Sequence, residues 1–353
     1  MAGNVRSQHV VILPAELAAP NAKVETVLEG LSYSEGPAFD PEGNLFFSED
    51  PDVQTGRIWK ITPDGVKSVY KDPSRGSNGL EFDPQGRLVI CMLDSLIRIE
   101  KDGNVTVLAA KSGTLNLGRV NDLSIASTGA MFFTNPGRNT LFFRSTDGQI
   151  KTRTFNDVNG VEWIEEKGII YVASDSLQKC KVNNATGELS GCVNFAGGTD
   201  GLTTDANGNV YWASWNEGKV FVHDSTGKQL GSIFIDAKQV AGKRFTDKNP
   251  GNTSNCAFGG PDRKTLFITG DGGCYKVTLK VAGRVRPGGP SALGPGMRRG
   301  GAGTASGALK IEPVFAGPKA AGIYFLDTRK TSVAADGRRS ADFLPASITE
   351  VGR

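Results

Sequence analysis

Short apolar runs, each closed by a turn word, recur along the chain at regular intervals. Six of them align as one unit: FDPEGNLFFSED (39–50), FDPQGRLVICML (82–93), IASTGAMFFTNP (125–136), WIEEKGIIYVAS (163–174), TDANGNVYWASW (204–215) and GGPDRKTLFITG (259–270). In each, a turn leads into a strand whose apolar residues run together, as strands do when both faces are covered. A second strand and turn follow in most copies, as in GRIWKITPDG, LIRIEKDG, LFFRSTDG, CKVNNATG and KVFVHDSTG. These end at Gly65, Gly103, Gly148, Gly187 and Gly227, with successive spacings of 38, 45, 39 and 40 residues. A period near forty made of short strands and turns is the mark of a four-stranded propeller blade, whereas helical repeats of that length would show an apolar rhythm of ~3.6 residues. The chain is expected to be all-β, a six-bladed β-propeller with four-stranded blades.

A propeller ring must close. The stretch AKVETVLEG (22–30) precedes the first unit and reads as an outer strand that completes the last blade, which itself ends with CYKVTLKVAGR (274–284). The expected division is an N-terminal extension over 1–21, the propeller over 22–284, and a Gly/Pro/Arg-rich, mostly disordered C-terminal extension over 285–353. Within that extension IYFLD (323–327) is able to form a short docked strand, and deletion of 286–353 is expected to leave a folded domain.

Composition narrows the function classes. The 40 basic and 37 acidic side chains leave a charge of +3. Residues 285–353 hold ten basic and five acidic residues, or +5, so residues 1–284 carry −2. No nucleic-acid or membrane partner is indicated, and no apolar run approaches the ~18 residues of a membrane span. An early apolar patch from Val10 to Leu13 is interrupted by Pro14 and Glu16 before it reaches the length of a signal-peptide core, so a cytoplasmic location is expected, with secretion as the alternative. None of the five cysteines falls in a zinc-type pair. Cys180 and Cys192 flank a hairpin turn at Asn183 to Gly187 and could bridge in an oxidising compartment, although two buried thiols is the preferred reading.

The candidate chemistry lies at the residue that opens each unit. Glu35, Asn78, Asn121 and Asp200 each stand eight residues before the turn glycine, Asn159 stands nine before Gly168, and Asn255 stands eight before Arg263. The local words are SEGPAFD, SNGLEFD, VNDLSIA, VNGVEWI, TDGLTTD and SNCAFGG. A single Asn or Asp there would simply cap a turn. Six at homologous positions imply that six oxygen acceptors converge on the propeller axis. Oxygen-only donors with two carboxylates, Glu35 and Asp200, suit a hard divalent cation, which also relieves the repulsion between them. Calcium is the first candidate, with zinc, manganese and magnesium as alternatives. His9 precedes the repeats and His223 sits in the outer part of a blade, so neither is expected to act as a base.

The words SEGPAFDPEGNLFFSED, NGLEFDPQGRL, GRVNDLSIASTGAMFFTNP, NGVEW, TDGLTTDANGNVYWASWNEGKV and AFGGPDRKTLFITG resemble the gluconolactonase and senescence-marker-protein (regucalcin) family of six-bladed propellers, over most of 20–284. The resemblance implies an axial divalent metal held by Glu35, Asn159 and Asp200, with Arg119 and Asn121 binding substrate. It further implies a metal-dependent hydrolase that opens small, sugar-type lactones. A departure is FTNP, where the family often has FTDP, so that Asn135 stands in place of a carboxylate. The chemistry can be stated from the residues: a bound cation polarises the lactone carbonyl, water attacks, and Asp200 serves as general base. Arg119 orients the substrate or, alternatively, makes only a surface ion pair. Two other functions remain open, an organophosphate hydrolase like diisopropyl-fluorophosphatase, using Glu35, Asn121, Asn159 and Asp200, and a non-catalytic propeller stabilised by its metal. The sequence leaves the oligomeric state open.

Overall fold

The computed structural model describes residues 9–50, 53–198, 200–237 and 251–290. The remainder of the expected C-terminal extension, including IYFLD, lies outside the described residues. The inner strands of blades 2 to 6 are Leu80–Phe82, Leu123–Ile125, Val161–Ile164, Leu202–Thr204 and Thr253–Gly259, and each begins an antiparallel meander. Blades 2, 3 and 4 are separate four-stranded sheets. Blades 6 and 1 merge into one six-stranded sheet because the strand Val24–Phe39 serves both. Its first half pairs with Thr265–Thr278, Val24 opposite Val277, and its second half is the inner strand of blade 1, Phe39 opposite Leu45. The described residues thus form five sheets of four or more strands that contain six inner strands. The segment read as the closing strand joins the two ends of the ring through these pairs.

The core confirms six blades. The described residues form six apolar clusters, one at each junction between neighbouring blades. Phe132 and Phe143 of blade 3, for example, meet the edge of Trp163 in blade 4, and all three are buried. Continuous apolar strands such as Met131–Asn135 and Val210–Ser214 are therefore buried on both faces, each face meeting a different blade. The sixth turn lacks glycine, and Arg263 adopts φ 56° there, a strained conformation for a residue with a Cβ.

Three expectations change. Residues 1–21 are not only an extension, because Val10–Ile12 pairs with Gln229–Phe234 and adds a fifth strand to blade 5. Its alternation of exposed and half-buried residues over only three positions gave no strand signal. The boundary at 284 cuts through packed structure, since the backbone of Gly283 and Arg284 is hydrogen-bonded to Arg263 and Thr204, and Arg286 reaches buried glutamates. Cys180 and Cys192 form a disulfide between adjacent strands of blade 4 rather than two buried thiols, because the irregular pairing around Lys179 to Lys181 brings their Cα atoms within 4.0 Å. Cys91, Cys256 and Cys274 are buried. Among the described residues no helix is long and apolar enough to cross a membrane.

Candidate functional site

The position after each opening acceptor explains how the blades come close enough to build a site. In blades 1, 2, 4 and 5 it is glycine. A Cβ on Gly36 would lie 2.5 Å from the Asn78 carbonyl oxygen, and one on Gly160 would lie 2.4 Å from that of Asp200. Absence of a side chain there lets the inner strands approach until Gly79 N–H bonds Asn121 O and Gly201 N–H bonds Ser254 O, both at 2.8 Å. The acceptor–glycine pairs in EG, NG and DG are thus one device, drawing the ring tight around its axis.

Glu35, Asn78, Asn121, Asn159 and Asp200 line one cavity of about 380 Å³, together with Arg119. Asn255 does not join them. Its side chain occupies the space beside Gly201, accepts from Cys256 N–H and donates to Asp122 Oδ2 at 3.2 Å. Five of the six expected acceptors therefore face the cavity, and the sixth is turned away because Asp122, at a position where most blades have glycine, offers it a carboxylate.

The two acids are deeply buried, Glu35 at 4% and Asp200 at 2% exposure. Each carboxylate is oriented by the following backbone amide: Gly36 N–H donates to Glu35 Oε2 at 2.8 Å, and Gly201 N–H to Asp200 Oδ1 at 3.1 Å. Tyr33 O–H donates to Glu35 Oε1 at 3.2 Å. Burial, then the charges of Glu35 and Asp122, push Asp200 well above the usual carboxylate range, while the Gly201 amide and the Asn159 side chain only partly oppose this. Burial together with the Glu35 and Asp200 charges likewise keeps the Tyr33 phenol protonated. Asn159 Oδ1 is buried with no hydrogen-bond partner in the structure. A buried acceptor left over beside two mutually repelling acids is the donor set that a hard cation satisfies. Among the described residues no three of His, Cys, Asp and Glu are placed to hold a metal ion together, so such a site depends on an amide oxygen to complete the acidic pair.

Arg119 is an exposed residue at the cavity wall, on the loop before blade 3. Asn135 stands back from the site. It caps the short turn Pro136–Arg138 by accepting from Arg138 N–H, while its amide donates to Leu117 O at 2.6 Å. An aspartate could not make that second bond, which accounts for the departure in FTNP. The histidines are structural: His9 Nδ1 accepts from Asp236 N–H, and His223 Nδ1 accepts from Trp212 Nε1–H.

Beyond this cavity the inner strands continue into a smaller one of about 40 Å³, lined by Glu81, Asp122, Arg284 and Arg286 among others. Glu81 and Glu162 are both buried, and Arg286 bonds both. Burial raises the Glu81 carboxyl to about 7 even though Arg286 opposes it, and burial raises Asp122 to about 6.

Residues 33–271 match the SMP-30/Gluconolactonase/LRE-like region. The chain belongs to this family. It is 24% identical to a gluconolactonase of Zymomonas mobilis over 74% of this chain and 82% of that protein. In fold it is similar to a gluconolactonase of Xanthomonas campestris, with a TM-score of 0.65 and 24% identity over 77% and 95% of the two chains. It is also similar to a calcium-binding regucalcin of Agrobacterium tumefaciens, with a TM-score of 0.61 and 21% identity over 74% and 95%.

Within the family framework, sequence reasoning missed Tyr33 and Trp215, which line the cavity with their rings edge to face at 5.3 Å. Tyr33 was findable, since it stands two residues before Glu35 in an extended strand. Glu81 and Glu162 were also legible, as the fourth letter of the shared word NG[L/V]E in blades 2 and 4.

Proposed function

We propose that this protein is a metal-dependent hydrolase that opens small, sugar-type lactones in the cavity lined by Glu35, Asn159 and Asp200. The observation that carries the reading is the pairing of two buried acids with the partnerless amide oxygen of Asn159. Glu35, Asn159 and Asp200 would hold the cation, and calcium is the first choice by the all-oxygen donor set and by the calcium-binding relative. A cation held there would supply Lewis-acid polarisation of the lactone carbonyl.

The chain's own residues supply the rest. Asp200 is held in place by the Gly201 amide and by Asn159, accepts the proton of the attacking water, and returns it to the departing ring oxygen. Tyr33 fixes the Glu35 carboxylate. Arg119 and Asn121, on the same wall, orient the substrate's hydroxyl groups. The lactonase names among the relatives support the substrate class. The Cys180–Cys192 bond supports an oxidising compartment over the cytoplasmic location expected from the sequence.

A second reading rests on the fact that Glu35, Asn121, Asn159 and Asp200 all line one cavity, the set expected for an organophosphate hydrolase. A panel of five- and six-membered lactones and phosphotriesters, run with metal-stripped and metal-restored protein, separates the two. Turnover of lactones alone, lost on stripping and regained with calcium, supports the first. Lactone turnover that persists in excess chelator overturns it.

A further inference from the structure

The second cavity holds a guanidinium that the family match, ending at residue 271, does not include. Arg286 Nη1 donates to Glu81 Oε1 at 2.9 Å, and its Nη2 donates to Glu162 Oε2 and, at 3.3 Å, to Thr203 Oγ1. These three partners belong to the inner strands of blades 2, 4 and 5. Each stands three residues after an opening acceptor: Glu81 after Asn78, Glu162 after Asn159, and Thr203 after Asp200. One side chain therefore spans the three strands that directly follow three of the five cavity-facing acceptors.

The segment that delivers Arg286 is fitted to its path. Gly283 passes so close to Phe258 that an added Cβ would lie 2.1 Å from it, and one on Gly288 would lie 2.1 Å from the Phe82 carbonyl oxygen. Arg284 donates to Glu162 Oε1 at 3.2 Å and to Trp163 O at 3.1 Å. Glu162 accepts further from Thr204 Oγ1, and Glu81 from Ile125 N–H, so each glutamate also ties its blade to the next.

We propose that Arg286 is a positioning residue, a clamp that sets the spacing of Asn78, Asn159 and Asp200 by holding the strands of blades 2, 4 and 5 together beneath them. Its planar fork holds two carboxylates in one fixed geometry, which a point-charge ammonium on a flexible stem does not impose. The cation readout rests on the functional reading above; the clamp itself does not.

The test uses the full chain with Arg286→Met, which removes the charge, and Arg286→Lys, which keeps the charge without the fork. Calcium affinity is measured by calorimetry well below the melting temperature, and amide exchange is followed in the inner strands. Arg286→Met should lower the melting temperature by about 5 °C or more, as expected for an opened buried ion pair. Arg286→Lys should recover much of that loss. Both variants should bind calcium about 10- to 100-fold more weakly, the usual cost of removing a group that orients ligands. Both should also exchange faster at Gly79, Asn159 and Gly201, with the outer strands unchanged. Wild-type exchange at those amides in either variant overturns the clamp. Wild-type calcium affinity in Arg286→Lys reduces Arg286 to charge compensation and also overturns it. If the unaltered protein binds no divalent cation, the cation reading fails, and the exchange pattern alone still decides the clamp.

Discussion

Asp200, just before the inner strand of blade 5, and Glu81, on that of blade 2, are both buried acids, one lining each cavity, and their surroundings treat their charge differently. Around Glu81 the chain brings its own cation: Arg286 bridges Glu81 and Glu162, and Arg284 adds a second guanidinium on Glu162. Around Asp200, burial and then the charges of Glu35 and Asp122 oppose its ionisation, and two amides help only in part. A buried carboxylate cluster without a matching cation is unstable unless it takes up protons or a metal ion. On the proposed reading the first cavity takes its cation from outside, whereas the second holds Arg284 and Arg286 among its acids.

The largest expected effects come from altering the first cavity's acids. Asp200→Asn should reduce kcat for lactone opening by ~10²-fold or more even at saturating metal, as for loss of a general base, and Glu35→Gln should weaken cation binding strongly. Steady-state rates across a calcium series check both. Unchanged kcat in Asp200→Asn would take the proton acceptor's role away from that residue.

Charge loss in the second cavity should act on stability. Arg286→Met leaves Glu81 and Glu162 partly uncompensated and should cost about 3–5 kcal/mol, the range for breaking a buried pair. Denaturant unfolding measures it. Deletion of 286–353 removes the same guanidinium, so the folded domain expected from the sequence for that deletion should be clearly destabilised, and a deletion that begins after Pro290 should not. Equal unfolding midpoints for the two deletions would contradict the packing seen at Arg286.

The second cavity also carries a pH response. The Glu81 carboxyl is raised from its ordinary value to about 7, so the folded state holds a proton that the unfolded state has already released. Its contribution is present below about pH 4.5 and is lost as pH rises toward 7. Glu81→Gln should therefore flatten the fall in melting temperature across that window. An unchanged slope would mean that Glu81 does not carry it. The smallest effect is expected from Arg119→Ala, which should raise KM or lower kcat/KM about tenfold or less while cation binding stays intact.

The fold was legible because a propeller repeats one local unit, and the turn and apolar run of FDPEGNLFF recur with little change in every blade. The closing strand at 22–30 was legible for the same reason, as a blade strand with no blade of its own. The first cavity was readable because its acceptors occupy one register position. Asn255 broke that register only through a tertiary partner, Asp122, which no spacing rule exposes. The clamp was hidden differently: Arg284 and Arg286 sit in a Gly/Pro/Arg stretch whose composition resembles a linker, and what draws them inward is a pair of glutamates more than a hundred residues upstream. Val10–Ile12 was missed because its apolar patch is too short to show a strand period and was weighed only as a signal-peptide core, and the Cys180–Cys192 bond because pairing depends on a local irregularity of register.

Calorimetric titration of metal-free protein with calcium, alongside Asp200→Asn and Asn159→Ala, tests the central claim most directly. The account predicts one ion per chain in the unaltered protein, strongly weakened binding in Asp200→Asn, and a clear loss in Asn159→Ala because its buried Oδ1 is the third donor. No binding of calcium, zinc, manganese or magnesium to the unaltered protein, or undiminished binding in both variants, would contradict it.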